Sequence, residues 1–312
     1  MTDQDHRFKL GMFLNELRLP FDEALAAAKD IGAEYVWFSN IPDGPEIADM
    51  SDADIDRMAA RVADHGLKLF LISASNPFKQ IHLTDIDGAA PTHNEEYRKQ
   101  LDDLVRSMQI ARRLGAGAVL AYSFAWPGEY TAAKPTWPMR WMTRGGVIAD
   151  VDMDKLEAVF TPAVEQAEQH GVDLVLSMMP WNYTNTSSNF RRLAERLGSD
   201  RLKVMWGPAD TMNSGEQDAA TAGFVNLRPY LNSLHIKDMH VNDGLKLDFE
   251  YLPIGDGDVD FPTVLRSLRD HRSDVVLSVA THFRPPGGSA VEAMRINYAR
   301  LNALIERVSS GT

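Results

Sequence analysis

The chain has 312 residues, of which 44% are hydrophobic, and it carries a formal net charge of −12. This length can bury a large core, either as one α/β barrel or as two smaller domains. The acidic balance, with a pI near 5.2 and no long run of Lys or Arg, argues against nucleic acid or an anionic membrane as a partner.

Cysteine is absent from the sequence, which excludes disulfides, thiolate catalysis and zinc–thiolate sites. His, carboxylate, Lys, Tyr and Ser side chains remain to carry chemistry. Residues 1–13 lack a cationic segment followed by a long apolar run, and no apolar stretch reaches the about 18 residues that a membrane span requires. We therefore expect a soluble, cytoplasmic protein.

Short apolar segments alternate with segments in which apolar residues recur at helical spacing. The predicted strands are residues 10–14, 34–39, 67–73, 118–124, 173–179, 202–206, 233–237 and 274–279, and helices are predicted at residues 20–31, 51–65, 94–114 and 152–170. Strands joined by crossover helices pair in parallel, and this number of units in about 300 residues is typical of a closed barrel. We predict a single (β/α)8 TIM barrel spanning residues 1–312. The alternative, an open doubly wound sheet, lacks a GxGxxG motif after the first strand.

The stretch from residue 232 to residue 261 contains the highest density of polar residues that we predict to be functional. His235 and Lys237 fall near the carboxyl end of the predicted seventh strand and point the same way, because side chains in a strand repeat every two residues. A charged loop is predicted next, then a glycine turn at residues 255–257. Asp260 and Pro262 predict the start of a helix.

In barrel enzymes the active-site residues lie at the carboxyl ends of the strands and in the loops that follow. The polar residues at these ends predict a cup for a polyhydroxylated or anionic, sugar-like small molecule. The predicted catalytic residues are His235, Lys237, Asp210 and His282, and the predicted substrate-binding residues are Glu16, Trp126, Arg144, Trp181, Asn182, Asp238 and Arg284. Trp126 and Arg144 belong to a long loop, residues 125–147, which we interpret as a lid or a binding element. Its tryptophans suit sugar faces, or else pack the loop on the barrel or contact another subunit of a homo-oligomer.

The chain resembles the xylose isomerase-like barrel superfamily of sugar isomerases and epimerases. The resemblance rests on the order of the units, the segment His235-Ile236-Lys237-Asp238, the segment at residues 255–261 and the last strand. The resemblance covers most of the chain. It implies one divalent ion held by Glu, Asp, His and Glu at the ends of strands five to eight, with the two Glu carboxylates exchanging a proton. Such oxygen and imidazole donors suit Mn²⁺, Mg²⁺ or Co²⁺.

At these positions the sequence departs from the pattern, because Ser177, Gly207 and Ala280 stand where the resemblance implies carboxylates, and His235 alone is retained. Three hypotheses follow. A relocated site would use Asp210, His235 and His282 as ligands of a divalent metal (Mn, Mg or Zn) or as an acid–base cluster. Metal-free chemistry would use Lys237 or His235 as the base, with Lys237, Arg284 or Arg144 stabilising an oxyanion. The third hypothesis is that the protein is a noncatalytic sugar-binding or partner subunit.

Structural roles compete with several of these assignments. Lys237 and Asp238 could pair with each other or with a neighbouring strand end, and Asp210 could cap a turn that runs through Asn213 and Ser214. His282 and Arg284 could face solvent in the loop before residues 285–288. We predict an isomerase or epimerase, or a related lyase, that acts on a sugar or sugar-derived polyol by proton transfer next to a carbonyl, with an altered or absent metal site.

Overall fold

The structure is a computed structural model that describes residues 7–42, 44–73, 76–126, 147–243 and 247–310. Its strands, in chain order, are Lys9–Phe13 (β1), Tyr35–Trp37 (β2), Lys68–Leu69 (β3), Leu71–Ile72 (β4), Ala118–Tyr122 (β5), Asp173–Ser177 (β6), Leu202–Trp206 (β7), Leu231–Ile236 (β8), Asp238–Asp243 (β9), Leu247–Leu252 (β10) and Val276–Val279 (β11). Its α-helices are Phe21–Ile31 (α1), Asp52–Asp64 (α2), Glu95–Leu114 (α3), Asp150–His170 (α4), Ser187–Leu197 (α5), Pro208–Asn213 (α6), Phe224–Leu227 (α7), Phe261–Asp270 (α8) and Ala290–Ser310 (α9).

The main sheet is entirely parallel and runs in the order β3-β2-β1-β11-β8-β7-β6-β5-β4. Its two end strands, β3 and β4, are consecutive pieces of one stretch that is interrupted at Phe70. The sheet therefore closes on itself, which confirms the predicted single (β/α)8 barrel and rules out the open sheet. No helix in the described part of the chain combines the length and apolar character needed to cross a membrane.

Two hydrophobic clusters follow from the alternation of side chains along the strands. One lies inside the barrel and includes Trp37, Leu120 and Val175. The other fills the shell between the strands and the helices and includes Val36 and Val119, the immediate neighbours of inward-facing residues. Polar residues at inward positions near the carboxyl ends of the strands are consequently directed toward the mouth of the barrel.

Local signals in the sequence account for the helix boundaries. Ser51 and Asp54 form a reciprocal capping box at the start of α2. The Asp260 carboxylate accepts a hydrogen bond from the Thr263 N–H at 3.1 Å, so α8 begins where Asp260 and Pro262 predicted. The four predicted helices agree with α1 to α4 to within two residues at each end.

One element differs from the prediction. The stretch predicted as a charged loop forms an antiparallel hairpin of β9 and β10, with Tyr251 opposite Met239. This hairpin is separate from the barrel sheet, and it places two aromatic side chains, Phe249 and Tyr251, against the mouth of the barrel.

Candidate active site

A cavity of about 490 Å³ opens at the carboxyl ends of the barrel strands. The described residues that line it share a polar or aromatic character and include Phe13, Glu16, Arg18, Trp37, Ser39, Asn76, Lys79, Tyr122, Ser177, Trp181, Asp210, Asn213, His235, Lys237, Phe249, Tyr251, His282 and Arg284. The sheet order divides this wall into two halves. The ends of β7, β8, β11 and β1 are neighbours and carry most of the charged groups. The ends of β2, β5 and β6 carry Trp37, Tyr122 and Trp181.

The centre of the charged half is an ion pair between Lys237 and Asp210. Lys237 Nζ lies 2.9 Å from Asp210 Oδ1, and the two side chains are 3% and 4% exposed. Burial disfavours the ammonium, but Asp210, Tyr251 and Glu16 outweigh burial, so the pKa of Lys237 is raised. Lys237 is therefore a fixed ammonium in the resting protein and a poor base.

Asp210 reaches this position from the first turn of α6, and Gly207 makes room for it. A Cβ atom at residue 207 would lie 2.3 Å from Asp210 Oδ2, so a side chain there would displace the carboxylate. Burial raises the pKa of Asp210, and the nearby Lys237 ammonium opposes that rise without cancelling it. The contact with the Lys237 ammonium favours the ionised carboxylate, whereas burial makes Asp210 more basic than an ordinary carboxylate.

Several buried polar atoms at this site have no hydrogen-bond partner among the described residues. They are Asp210 Oδ2, Asn213 Oδ1 and both ring nitrogens of His235. His235 Nδ1 lies 3.9 Å from Asp210 Oδ2. Buried polar groups are normally satisfied, so these atoms indicate a place for water or a polar ligand.

The histidines of the site are neutral at physiological pH. Burial, the Lys237 ammonium and His282 hold the pKa of His235 well below its usual range. The pKa of His282 is also lowered, because burial at the wall and the cations Lys237, Arg284 and Arg18 disfavour imidazolium, an effect that the 39% exposure of its side chain moderates. A neutral imidazole can both donate and accept a hydrogen bond.

Glu16 forms a second charged group, which follows β1. Its Oε1 lies 3.4 Å from His282 Nδ1, and its Oε2 lies 3.6 Å from a terminal nitrogen of Arg284. Burial raises the pKa of Glu16 against the opposing effect of Arg284, Lys237 and Arg18. Glu16 follows β1 and Asp210 follows β7, so β11 and β8 separate the two carboxylates around the mouth.

The structure brings Glu16, Asp210, His235, Lys237, His282, Arg284 and Trp181 together in one cavity. His282 and Arg284 therefore line the mouth instead of facing away from it. Lys237 pairs with Asp210, at the end of the neighbouring strand β7, and not with Asp238. The Asp210 side chain does not cap the turn; its backbone carbonyl accepts the bonds from Ser214.

Three predicted binding residues have other partners. The Asp238 carboxylate accepts backbone N–H groups of Met239, Gly255, Gly257 and Val259, so it organises the loop before α8 and does not line the cavity. The Asn182 amide donates to the Ser177 carbonyl at 2.8 Å. Trp126 stacks on Tyr183 with ring centroids 4.0 Å apart, which agrees with the packing alternative for this residue. Arg144, like most of the predicted lid, lies outside the described residues.

Sequence reasoning missed other wall residues, namely Arg18, Lys79, Phe13, Trp37, Phe249 and Tyr251. The Tyr251 ring lies 4.7 Å from the His282 ring and 6.0 Å from Lys237 Nζ. A signal for the hairpin was present, because Asn242-Asp243-Gly244 is a turn sequence followed by the alternating segment Phe249-Glu250-Tyr251.

The donor set does not fit the divalent ion that the resemblance implies. Within the described ranges no group of three or more His, Cys, Asp or Glu side chains could hold a metal. Asp210, the carboxylate closest to His235, is already bound to an ammonium, which repels a second cation. Of the positions implied to carry carboxylates, Ser177 lines the cavity, Gly207 faces Asp210, and Ala280 is fully buried.

A closed parallel barrel with a polar cup at its strand ends defines the general class of (β/α)8 enzymes and binding proteins. Comparison with known families is more specific: the xylose isomerase-like TIM barrel family matches residues 25–300, and the chain belongs to this family.

Solved structures with the same fold have diverse activities. A probable 3-DHS dehydratase from Bacillus anthracis is 14% identical, with a TM-score of 0.70 over 95% of this chain and 99% of that one. An L-ribulose 3-epimerase is 18% identical, with a TM-score of 0.70 over 98% and 97% of the two chains. A xylose isomerase-like TIM barrel protein from Mycobacterium smegmatis in complex with magnesium is 16% identical, with a TM-score of 0.69 over 98% of each chain. At these identities the likeness is one of fold. No curated protein matches the sequence significantly.

Proposed function

We propose that the protein is an isomerase or epimerase, or a related lyase, that moves a proton next to the carbonyl of a sugar-like compound, with the Lys237 ammonium in the role that a divalent ion would otherwise have. The observation that supports this proposal is the buried Lys237–Asp210 pair at the wall of the cavity, with Asp210 Oδ2 left without a partner among the described residues.

The chemistry requires a base and a group that stabilises an oxyanion. Asp210 Oδ2 accepts the proton from the carbon next to the carbonyl, and the electrons of that C–H bond form the enediolate double bond. The carbonyl oxygen gains negative charge, which a preorganised ammonium stabilises most strongly in a site with little water. Lys237 has this charge and this burial.

His235 and Glu16 are the other groups in the site that can donate a proton. The neutral imidazole of His235 can donate to a substrate hydroxyl or to Asp210 without adding charge to the site. Glu16, with its raised pKa, is a second carboxyl that can return a proton. Return to the same carbon from the other face inverts it, return to the neighbouring carbon moves the carbonyl, and loss of a hydroxyl gives dehydration. The epimerase and the probable dehydratase among the solved neighbours have the same barrel fold.

The test is solvent deuterium incorporation, followed by NMR, across a panel of aldoses, ketoses and keto-sugar acids in D₂O. We expect exchange at a carbon next to the carbonyl of at least one compound, and loss of that exchange in the Lys237→Met and Asp210→Asn variants. Lys203→Met is a matched control, since Lys203 lies on the neighbouring strand β7 with its ammonium on the Pro229 carbonyl, away from the cavity. A compound that binds without any exchange would favour the noncatalytic binding protein instead.

A further inference from the structure

The cavity contains more positive than negative charge, although the whole chain has a net charge of −12. The cations among its described wall residues are Arg18, Lys237 and Arg284, with Lys79, whose pKa is lowered by burial, as a fourth, against the carboxylates of Glu16 and Asp210. The two histidines add no charge because their pKa values are lowered. A positively charged cavity in an acidic protein indicates an anionic ligand.

Both carboxylates already have cationic partners within the cavity. Asp210 is bound to Lys237, and Glu16 lies 3.6 Å from Arg284, whose guanidinium also donates to the carbonyls of Thr281 and Phe283. Arg18 is different, since it is exposed and forms no ion pair with any residue that the structure describes. Its charge nevertheless reaches the site, because it lowers the pKa values of Glu16 and His282.

The backbone holds Arg18 at the mouth of the barrel. Arg18 has a φ of 55° and ψ of 39°, a left-handed conformation that a residue with a side chain seldom adopts, and it closes the turn Leu14–Leu17 after β1. Asn15 fixes this turn to the end of β2, since it accepts a bond from the Ser39 N–H at 2.9 Å and donates to the Asn40 carbonyl at 3.0 Å. Unusual backbone at the rim of a cavity is a feature of binding sites.

The aromatic half of the wall indicates a ligand with flat apolar faces. Phe13 and Trp37 stack with ring centroids 4.0 Å apart, and Trp37 is fixed by a hydrogen bond to Ser278 on β11, the strand on the other side of β1. Tyr122 and Trp181 stack at 5.5 Å, and Lys79 lies over the Tyr122 ring. Because Trp37, Tyr122 and Trp181 are buried and stacked on neighbouring rings, they form a close-packed aromatic wall, which suits the apolar part of a ring-forming compound.

We propose that the ligand is a ring-forming hydroxy-carbonyl compound that bears a carboxylate or phosphate group, with this anionic group bound by Arg18 at the mouth and the carbonyl oxygen directed to Lys237. The inference deepens the proposed function and rests on the same cavity.

The test compares the binding of acidic and neutral compounds with the same skeleton by calorimetry at low ionic strength. The probes are D-glucuronate against D-glucose and D-fructose 6-phosphate against D-fructose, which separate a carboxylate from a phosphate. We expect the acid of at least one pair to bind about tenfold more tightly than its neutral partner, as one partly screened charge contact provides, and to lose that preference in added salt. Arg18→Gln should abolish the preference. Arg272→Gln is the matched control, because Arg272 is also exposed and left-handed (φ 49°) but lies outside the cavity.

Equal binding within both pairs, including no detectable binding of any probe, would overturn the inference, and so would a preference that survives Arg18→Gln. The result can be separated from the proposed function. Deuterium exchange confined to neutral compounds would refute the anionic ligand and leave the proton-transfer proposal standing. Tight, Arg18-dependent binding of acids without exchange would support the anionic ligand and refute the proton-transfer proposal.

Discussion

Lys237 and Asp210 meet at 2.9 Å in a part of the barrel mouth where neither side chain is more than 4% exposed. Removing one member of a buried ion pair leaves an uncompensated charge and typically costs about 3–5 kcal/mol, whereas removing both is much less costly. The pair is therefore a structural contact, and in the proposed function it is also the chemical centre of the site.

The first prediction concerns this coupling. Lys237→Met and Asp210→Asn should each lower the free energy of unfolding by about 3 kcal/mol, and the double variant should recover much of that loss. Urea denaturation of the four proteins measures the coupling energy. Additive losses in the double variant would show that the two side chains do not depend on each other.

The second prediction concerns Gly207. Gly207→Ala places a methyl group where Asp210 Oδ2 lies and should displace the carboxylate, with a loss of about 1–3 kcal/mol of stability and most of the exchange activity. Gly117→Ala is the control, because nothing lies within 4 Å of a Cβ atom at residue 117. Similar behaviour of the two variants would contradict the placement of Asp210.

The third prediction concerns pH. The folded protein keeps His235 neutral, whereas the unfolded chain protonates it below its usual pKa of about 6.5. As the pH falls below that value, the free energy of unfolding should therefore fall by up to about 1.4 kcal/mol per pH unit for this group, until its folded pKa is reached.

The lowered pKa of His282 also makes the free energy of unfolding fall on acidification. The raised pKa values of Asp210 and Glu16 have the opposite effect at lower pH, because the folded protein then binds protons more readily than the unfolded chain. The informative quantity is thus the difference between wild type and His235→Asn, measured by denaturation from pH 8 to pH 5. The variant should lose less stability on acidification. Parallel curves would mean that His235 is not buried in its neutral form.

The fourth prediction concerns the hairpin. The Tyr251 ring covers His282, so Tyr251→Ala should raise the pKa of His282 toward its ordinary value as water gains access, while Tyr251→Phe should leave it nearly unchanged. NMR titration of the imidazole measures both. Glu250→Ala is the control, because Glu250 lies between two cavity residues on the strand and is exposed on its other face. A pKa of His282 that does not respond to Tyr251→Ala would place the hairpin away from the site.

The barrel could be predicted from the sequence because its signals are local and repeated. Each strand is a short apolar run, and helix ends carry caps such as Ser51 and Asp260. The parallel pairing then follows from the crossover helices, and strand alternation predicts that His235 and Lys237 point the same way.

The site was only partly predictable, because its key contacts join residues far apart in the chain. The link between Asp210 and Lys237 depends on the neighbouring positions of β7 and β8 and on the space left by Gly207. Asp238 looked like a site residue beside Lys237, but its carboxylate is used by backbone N–H groups of the next loop. Tyr251 was missed because its strand was taken as a loop.

The central claim is that the Lys237 ammonium provides the positive charge for the chemistry. The most direct test measures deuterium exchange of the best panel compound by wild-type protein and Lys237→Met, each before and after exhaustive chelation and metal analysis. The account predicts that metal-stripped wild type retains its exchange rate and that Lys237→Met loses it in both conditions. Loss of exchange on chelation, with recovery on adding back a divalent ion, would contradict it.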